Sequence, residues 1–121
     1  MWLKKMCIAQ QPVEVTLTQD NMPPVPDRLR TDVEVARPIC ACNKTGAIFL
    51  GDETVGQDKY SVNNVPVTCK PGYHAIGMWH THPGGHTAPS QGDVKSMKQL
   101  GLRHMCITVP ETGETACHLV R

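Results

Sequence analysis

The chain has 121 residues, 40% of them apolar, which suits one ordinary domain with a modest core and leaves little room for a second. Twelve basic against eleven acidic side chains give a formal net charge of +1, so there is no electrostatic footprint for nucleic acid or an anionic membrane surface. No apolar run reaches the ~18–20 residues that a membrane span needs, and Met1-Trp2-Leu3-Lys4-Lys5-Met6-Cys7-Ile8-Ala9 lacks a signal peptide's full apolar core, so a cytoplasmic location is expected.

Residues 1–31 are expected to form an extended strand and a Pro-rich connector. Val13-Glu14-Val15-Thr16-Leu17-Thr18 alternates apolar and polar residues with the period of a half-buried strand. Pro23, Pro24 and Pro26 then exclude both a helix and a strand ladder. Val33 to Cys42 reads as a strand, Asn43-Lys44-Thr45-Gly46 as a tight turn and Ala47-Ile48-Phe49-Leu50 as the return strand of a hairpin. Residues 60–69, with Val62, Val65 and Val67 around Pro66, suggest an edge or interrupted strand.

His74 to His80 reads as a further strand, with His74, Ile76, Met78 and His80 on one face and Ala75, Gly77 and Trp79 on the other. After the Pro83-Gly84-Gly85 loop, Val94, Met97 and Leu100 form the apolar stripe of a helix over residues 91–100, which Gly101 stops. Residues 104–109 and 115–120 close the chain as a hairpin around Pro110-Glu111-Thr112-Gly113. The sum is an α+β domain spanning 1–121: a β-sheet with one main helix packed on it.

Six cysteines could in principle form three disulfides. Lacking an export signal, the chain is expected to keep them as free thiols, since Cys40, Cys42, Cys106 and Cys117 lie in apolar, strand-like stretches where a thiol behaves as a small buried hydrophobe. A zinc site on Cys40-Ala41-Cys42 would need a second half-site, and none is visible.

His80 and His82 lie two apart at a strand end, hence on one face, and both can reach one metal ion. A glycine-containing loop then folds the chain back and brings Asp93, at the start of the helix, toward them. Two imidazoles and one carboxylate give three protein ligands, the usual arrangement of a catalytic zinc that keeps its fourth position open. Taken alone, Ser90 and Asp93 read as helix capping, and a lone histidine at a strand end reads as structural.

Together, His80-Thr81-His82-Pro83, six further residues, and Ser90-Gln91-Gly92-Asp93 resemble the signature of the JAMM (MPN+) zinc metallopeptidases, H-x-H-P followed by S-x-x-D. Gly77-Met78-Trp79 before His80 is similar to the strand that the family places there. The resemblance covers residues 74–100 closely and 32–120 loosely. It implies a JAB/MPN-like, cytidine-deaminase-like fold with a mixed, curved sheet, and one zinc ion held by His80, His82 and Asp93. It further implies hydrolysis of a peptide or isopeptide bond in a protein or peptide substrate, including one joined to a ubiquitin-like modifier.

By the same resemblance Ser90 would stabilise the oxyanion, and an upstream glutamate would move the proton. Glu34, on a predicted strand 46 positions before His80, is favoured for that part over Glu53 in the polar stretch Gly51-Asp52-Glu53-Thr54. Pro23-Pro24-Val25-Pro26 and Glu34-Val35-Ala36-Arg37 depart from the amphipathic helix and Glu-x-x-Gly segment of the better-known members, and are closer to compact bacterial and viral branches such as RadC-like proteins. The alternatives are a nonenzymatic MPN-type interaction module and a processing domain associated with phage or toxins. His86 could gate the site or replace a ligand, whereas His74, His104 and His118 read as structural. The oligomeric state is left open.

Overall fold

Val35-Ala36-Arg37-Pro38-Ile39-Cys40-Ala41-Cys42 is nearly all apolar, the composition of a strand covered on both faces, and it forms β1 (Val35–Cys42), buried at every position but Arg37. In the computed structural model, which describes residues 7–18, 20–62 and 65–120, β1 is followed by β2 (Ile48–Leu50), β3 (Thr54–Val55), β4 (Tyr73–Thr81), α1 (Gln91–Leu100), β5 (His104–Thr108) and β6 (Thr115–Leu119). The sheet runs β2-β1-β4-β5-β6, with β3 also paired to β1. All pairs are antiparallel except β4 with β5, where α1 makes the crossover that parallel neighbours require. This is the expected α+β architecture, a mixed sheet with one helix among the described residues.

Pro38 stands inside β1 without disrupting it. Its carbonyl accepts from Gly51 N at 2.8 Å, so the edge on which its N–H is missing faces the gap between β2 and β3 rather than β4. Against β4 the register is Ala36↔His80, Pro38↔Met78 and Ile39↔Gly77, and then shifts to Cys40↔Ala75, leaving Ile76 as the extra residue of a bulge. The bulge overturns part of the expected alternation. Ala75 packs with Met78 on one face, while Ile76 joins Trp79 on the other.

The two faces have different covers. Ala36, Met78, Met97, Met105 and Ile107 form the core beneath α1. On the opposite face Val35, Ile39 and Trp79 are covered by Leu17, Met22, Val25, Leu29 and Val33, so the Pro-rich stretch is a lid over the sheet as well as a connector. Trp79 packs opposite His80, as expected, and its indole N–H donates to Thr108 Oγ1 at 2.9 Å. Gly77 is required where β4 meets β5, because a Cβ there would collide with the His104 carbonyl.

Several expectations are corrected. Residues 13–18 are extended but join no strand ladder. Their one backbone link to the hairpin is Val13 N to Asn43 O, and Asn21 ties down Thr16 and Thr18. Residues 1–6 of that N-terminal stretch lie outside the described residues. The described part of 60–69 contains no strand, and Asn63 and Asn64 are not described; Val62, Val65 and Val67 instead pack as irregular chain on the helix-side core. Leu100, at the end of the helix stripe, is 50% exposed.

The free-thiol reading is overturned as well. Cys7–Cys42, Cys40–Cys69 and Cys106–Cys117 are disulfides, and no cysteine is free. The same burial that suits a thiol suits a cystine, so the apolar surroundings did not discriminate. Cys106 and Cys117 are direct cross-strand partners of β5 and β6, while the other two bridges anchor the N-terminal segment and the 56–72 segment to β1. Protein purified without reductant should resist thiol alkylation even when denatured, and take up six equivalents only after reduction. The Cys40→Ser/Cys69→Ser double variant should lose about 2–4 kcal/mol of stability in urea denaturation.

Candidate metal centre

His80 lies at the carboxyl end of β4, and the backbone N–H of His82 donates to Thr108 O at 3.0 Å, which prolongs the pairing with β5 past the end of the strand. The two imidazoles therefore project from one face, with ring centroids 4.8 Å apart and planes at 82°. Between them the buried Thr81 points the other way, and its Oγ1 accepts from Val35 N at 3.0 Å, pinning β1 to β4 beside the site.

The chain turns at Pro83 and Gly84, the latter with φ +67°. Gly84 N donates to the Glu111 carboxylate at 3.0 Å, and His118 Nε2 donates to Thr87 O at 2.7 Å, so the closing hairpin fixes both ends of this loop. It delivers Ser90 as the N-cap of α1. Ser90 Oγ accepts from Asp93 N at 3.0 Å, and Ser90 N donates to Asp93 Oδ2 at 2.9 Å, a complete capping box. The box also aims Asp93 at the histidines, with Oδ2 3.2 Å from His82 Nε2 and 3.8 Å from His80 Nε2.

Glu34 joins them from β1's side. It directly precedes that strand and is held by Glu34 N to Asp58 O at 2.8 Å and Gly56 N to Glu34 O at 2.7 Å. Its side chain is only 6% exposed, and Oε1 accepts from His80 Nδ1 at 2.8 Å. Donor atoms of Glu34, His80, His82 and Asp93 all lie within 4.8 Å of one another, a cluster able to hold a metal ion. Glu53 stays outside it, with Oε1 3.9 Å from Arg37 on the far side of the strand gap.

The hydrogen bonds determine which ring nitrogens face inward. The His86 carbonyl can only accept, so His82 Nδ1, 2.9 Å away, must carry a proton. An ionised Glu34 asks the same of His80 Nδ1. In each neutral ring the Nε2 lone pair then points at Asp93 Oδ2, so three electron-rich atoms converge and call for a positive charge between them. The titration behaviour follows. His82 is raised from its ordinary value, first because its protonated ring can donate from Nε2 to Asp93, with burial opposing. For Asp93 burial opposes the charge, yet the bonds from His82 and Ser90 and the neighbouring His80 outweigh it and hold the carboxyl at about 2.

This donor set fits a divalent cation of borderline softness, with two imidazole nitrogens, a carboxylate, and hydrogen-bond acceptors behind each imidazole to fix its tautomer. Residues 25–120 match the family described as prokaryotic homologs of the JAB domain. The chain belongs to that family. No curated protein matches it by sequence.

In this JAB-domain protein the expected residues Glu34, His80, His82 and Asp93 are brought together, with Ser90 beside them at the helix cap. His86 is not part of the cluster; it contributes its backbone carbonyl to His82. Sequence reasoning missed Thr81 and Glu111, which act on backbone groups, while His118 has the structural part expected of it, on Thr87 O. The one available signal was Thr81, a polar residue whose alternation with two histidines turns it into the sheet. Ser90→Ala should cost about 1 kcal/mol in thermal unfolding through loss of the cap, with Ser90→Asp recovering most of it.

Proposed function

We propose that this chain is a zinc-dependent metallopeptidase that hydrolyses a peptide or isopeptide bond. The observation that carries this reading is the convergence of Glu34, His80, His82 and Asp93 within 4.8 Å at one end of an open cavity, in a JAB-family chain. His80 and His82 would hold the ion through Nε2 and Asp93 through its carboxylate. Zinc is the ion of choice for two histidines and one carboxylate with a position left open. When bound, it supplies Lewis acidity toward the carbonyl and lowers the pKa of water.

The chain's own groups would do the rest. Glu34 has one oxygen committed to His80, and its side chain lines the cavity. That carboxylate would take a proton from the attacking water and return it to the departing amine. The bond to His80 holds it in place without using its second oxygen. Ser90 Oγ accepts from the helix backbone, which leaves its own proton to donate to the oxyanion that develops as the carbonyl becomes tetrahedral.

Among the described residues no helix is long and apolar enough to cross a membrane. The cytoplasm was expected from the N-terminal residues, but three disulfides favour an oxidising compartment, because cytosolic thiol systems keep such bonds reduced. The substrate in this reading is a protein or peptide.

Wild type should carry one zinc per chain by elemental analysis, and His82→Ala and Asp93→Asn should lose it. Asp93→Asn separates the two duties of that residue, since the amide oxygen can still accept from Ser90 N and keep the helix capped. Glu34→Gln should retain zinc while slowing cleavage of a peptide panel by ~10²–10⁴-fold, and Glu53→Gln should change neither. Wild type without stoichiometric zinc would sink the proposal.

A further inference from the structure

The cation site is one end of a cavity of about 400 Å³, within the range of small-molecule sites. Glu34, His80 and Asp93 form that end, and they are its only ionisable lining side chains among the described residues. The remainder is mostly apolar. Met78, Met97 and Met105 make the floor, Leu100 stands on the α1 wall, and Val62 and Val65 stand on the opposite wall.

Leu100 is the informative residue. It continues the apolar stripe of α1 whose Met97 is buried, yet it is 50% exposed and turned toward the cavity rather than covered by the core. The segment that carries Val62 and Val65 is tethered on one side by Glu34's two backbone bonds to Asp58 and Gly56 and on the other by the Cys40–Cys69 bridge. A charged side chain entering it would lose water and meet only the uncharged Ser96 and Gln99 away from the cation end, with no opposite charge, whereas an aliphatic one would cover apolar surface of Leu100, Val62 and Val65. The three flexible thioethers below adapt to chain shape.

We infer that this groove is a specificity subsite that accepts a long, uncharged apolar side chain of the substrate, such as leucine or methionine, within two residues of the bond cut. The inference rests on the hydrolase reading, since it is the position of the reacting carbonyl at the cation end that brings a neighbouring side chain here. A glycine at that position would leave the half-exposed Leu100 facing water above the buried methionines, so glycine-tailed modifiers are poor occupants. Leu100 is thus a specificity residue, and Met78, Met97 and Met105 form the surface it helps to close.

The test uses zinc-supplemented protein with ¹³C-methyl-labelled methionine. It is titrated with two peptides whose central amide is replaced by an uncleavable CH₂–NH link and which differ only in leucine against glycine beside that link. The leucine peptide should shift the Met78, Met97 and Met105 methyl signals, leave Met22 on the opposite face unmoved, and bind about tenfold or more tightly than the glycine peptide. Leu100→Asp, at a half-exposed position, should remove most of that preference with an unchanged circular dichroism spectrum. Equal binding of the two peptides, or a preference that survives Leu100→Asp, overturns the inference. A cleavable peptide library separates this from the hydrolase reading. Cleavage without apolar preference removes the groove's role and leaves the hydrolase standing, whereas selective binding with no cleavage leaves the groove as a peptide site and removes the hydrolase.

Discussion

Because side chains alternate along a strand, the pairing of Ala36 with His80 decides which face β1 and β4 give to the cation site. Extending that register by two residues sets Glu34 opposite His82, on the same face as both histidines and diagonal to His80, whose Nδ1 it meets at 2.8 Å. A slip of one residue would send Glu34 into the opposite core and bring Val35 against the imidazoles. The structure guards this register in several ways. Thr81 bonds the backbone of Val35, the Ile76 bulge absorbs one residue away from the site, and Gly77 lets β5 approach closely enough to extend the ladder to His82.

Asp93 shows why the bland and the functional readings of one motif need not compete. The same Oδ2 that accepts from Ser90 N also faces both histidines, so the capping bond is the device that aims the carboxylate. Ser-x-x-Asp at a helix start is thus read correctly as a capping box and correctly as half of a metal centre. Its cost in flexibility falls on the preceding loop, which Glu111 and His118 hold from the other side.

What was legible in the sequence follows the range of the interactions. His80, His82 and Asp93 are thirteen positions apart at most, and strand alternation plus a helix start suffice to bring them together. Glu34 was legible as a strand glutamate, but its contact with His80 depends on a pairing register that no local pattern fixes. The bulge at Ile76 was invisible for the same reason. Residues 13–18 carry the alternation of a strand because an extended segment lying on a sheet face turns alternate residues toward it with or without ladder partners, burying Leu17 fully and Val15 in part. Cysteine pairing was beyond reach, since a cystine and a buried thiol occupy the same apolar niches.

The cystines bear on the metal chemistry in a further way. As disulfides, the six cysteine sulfurs are indifferent to zinc, and the cluster built on His80, His82 and Asp93 has no rival among the described residues. Reduction would release six soft ligands, among them Cys40 and Cys42 two positions apart on a central strand, in a protein that had just lost the tethers on both flanking segments. The thiol reagents that usually protect a zinc enzyme would here create competitors for its ion. The oxidation state of the sulfurs therefore sets whether bound zinc reports on the histidine site or on misplaced thiolates.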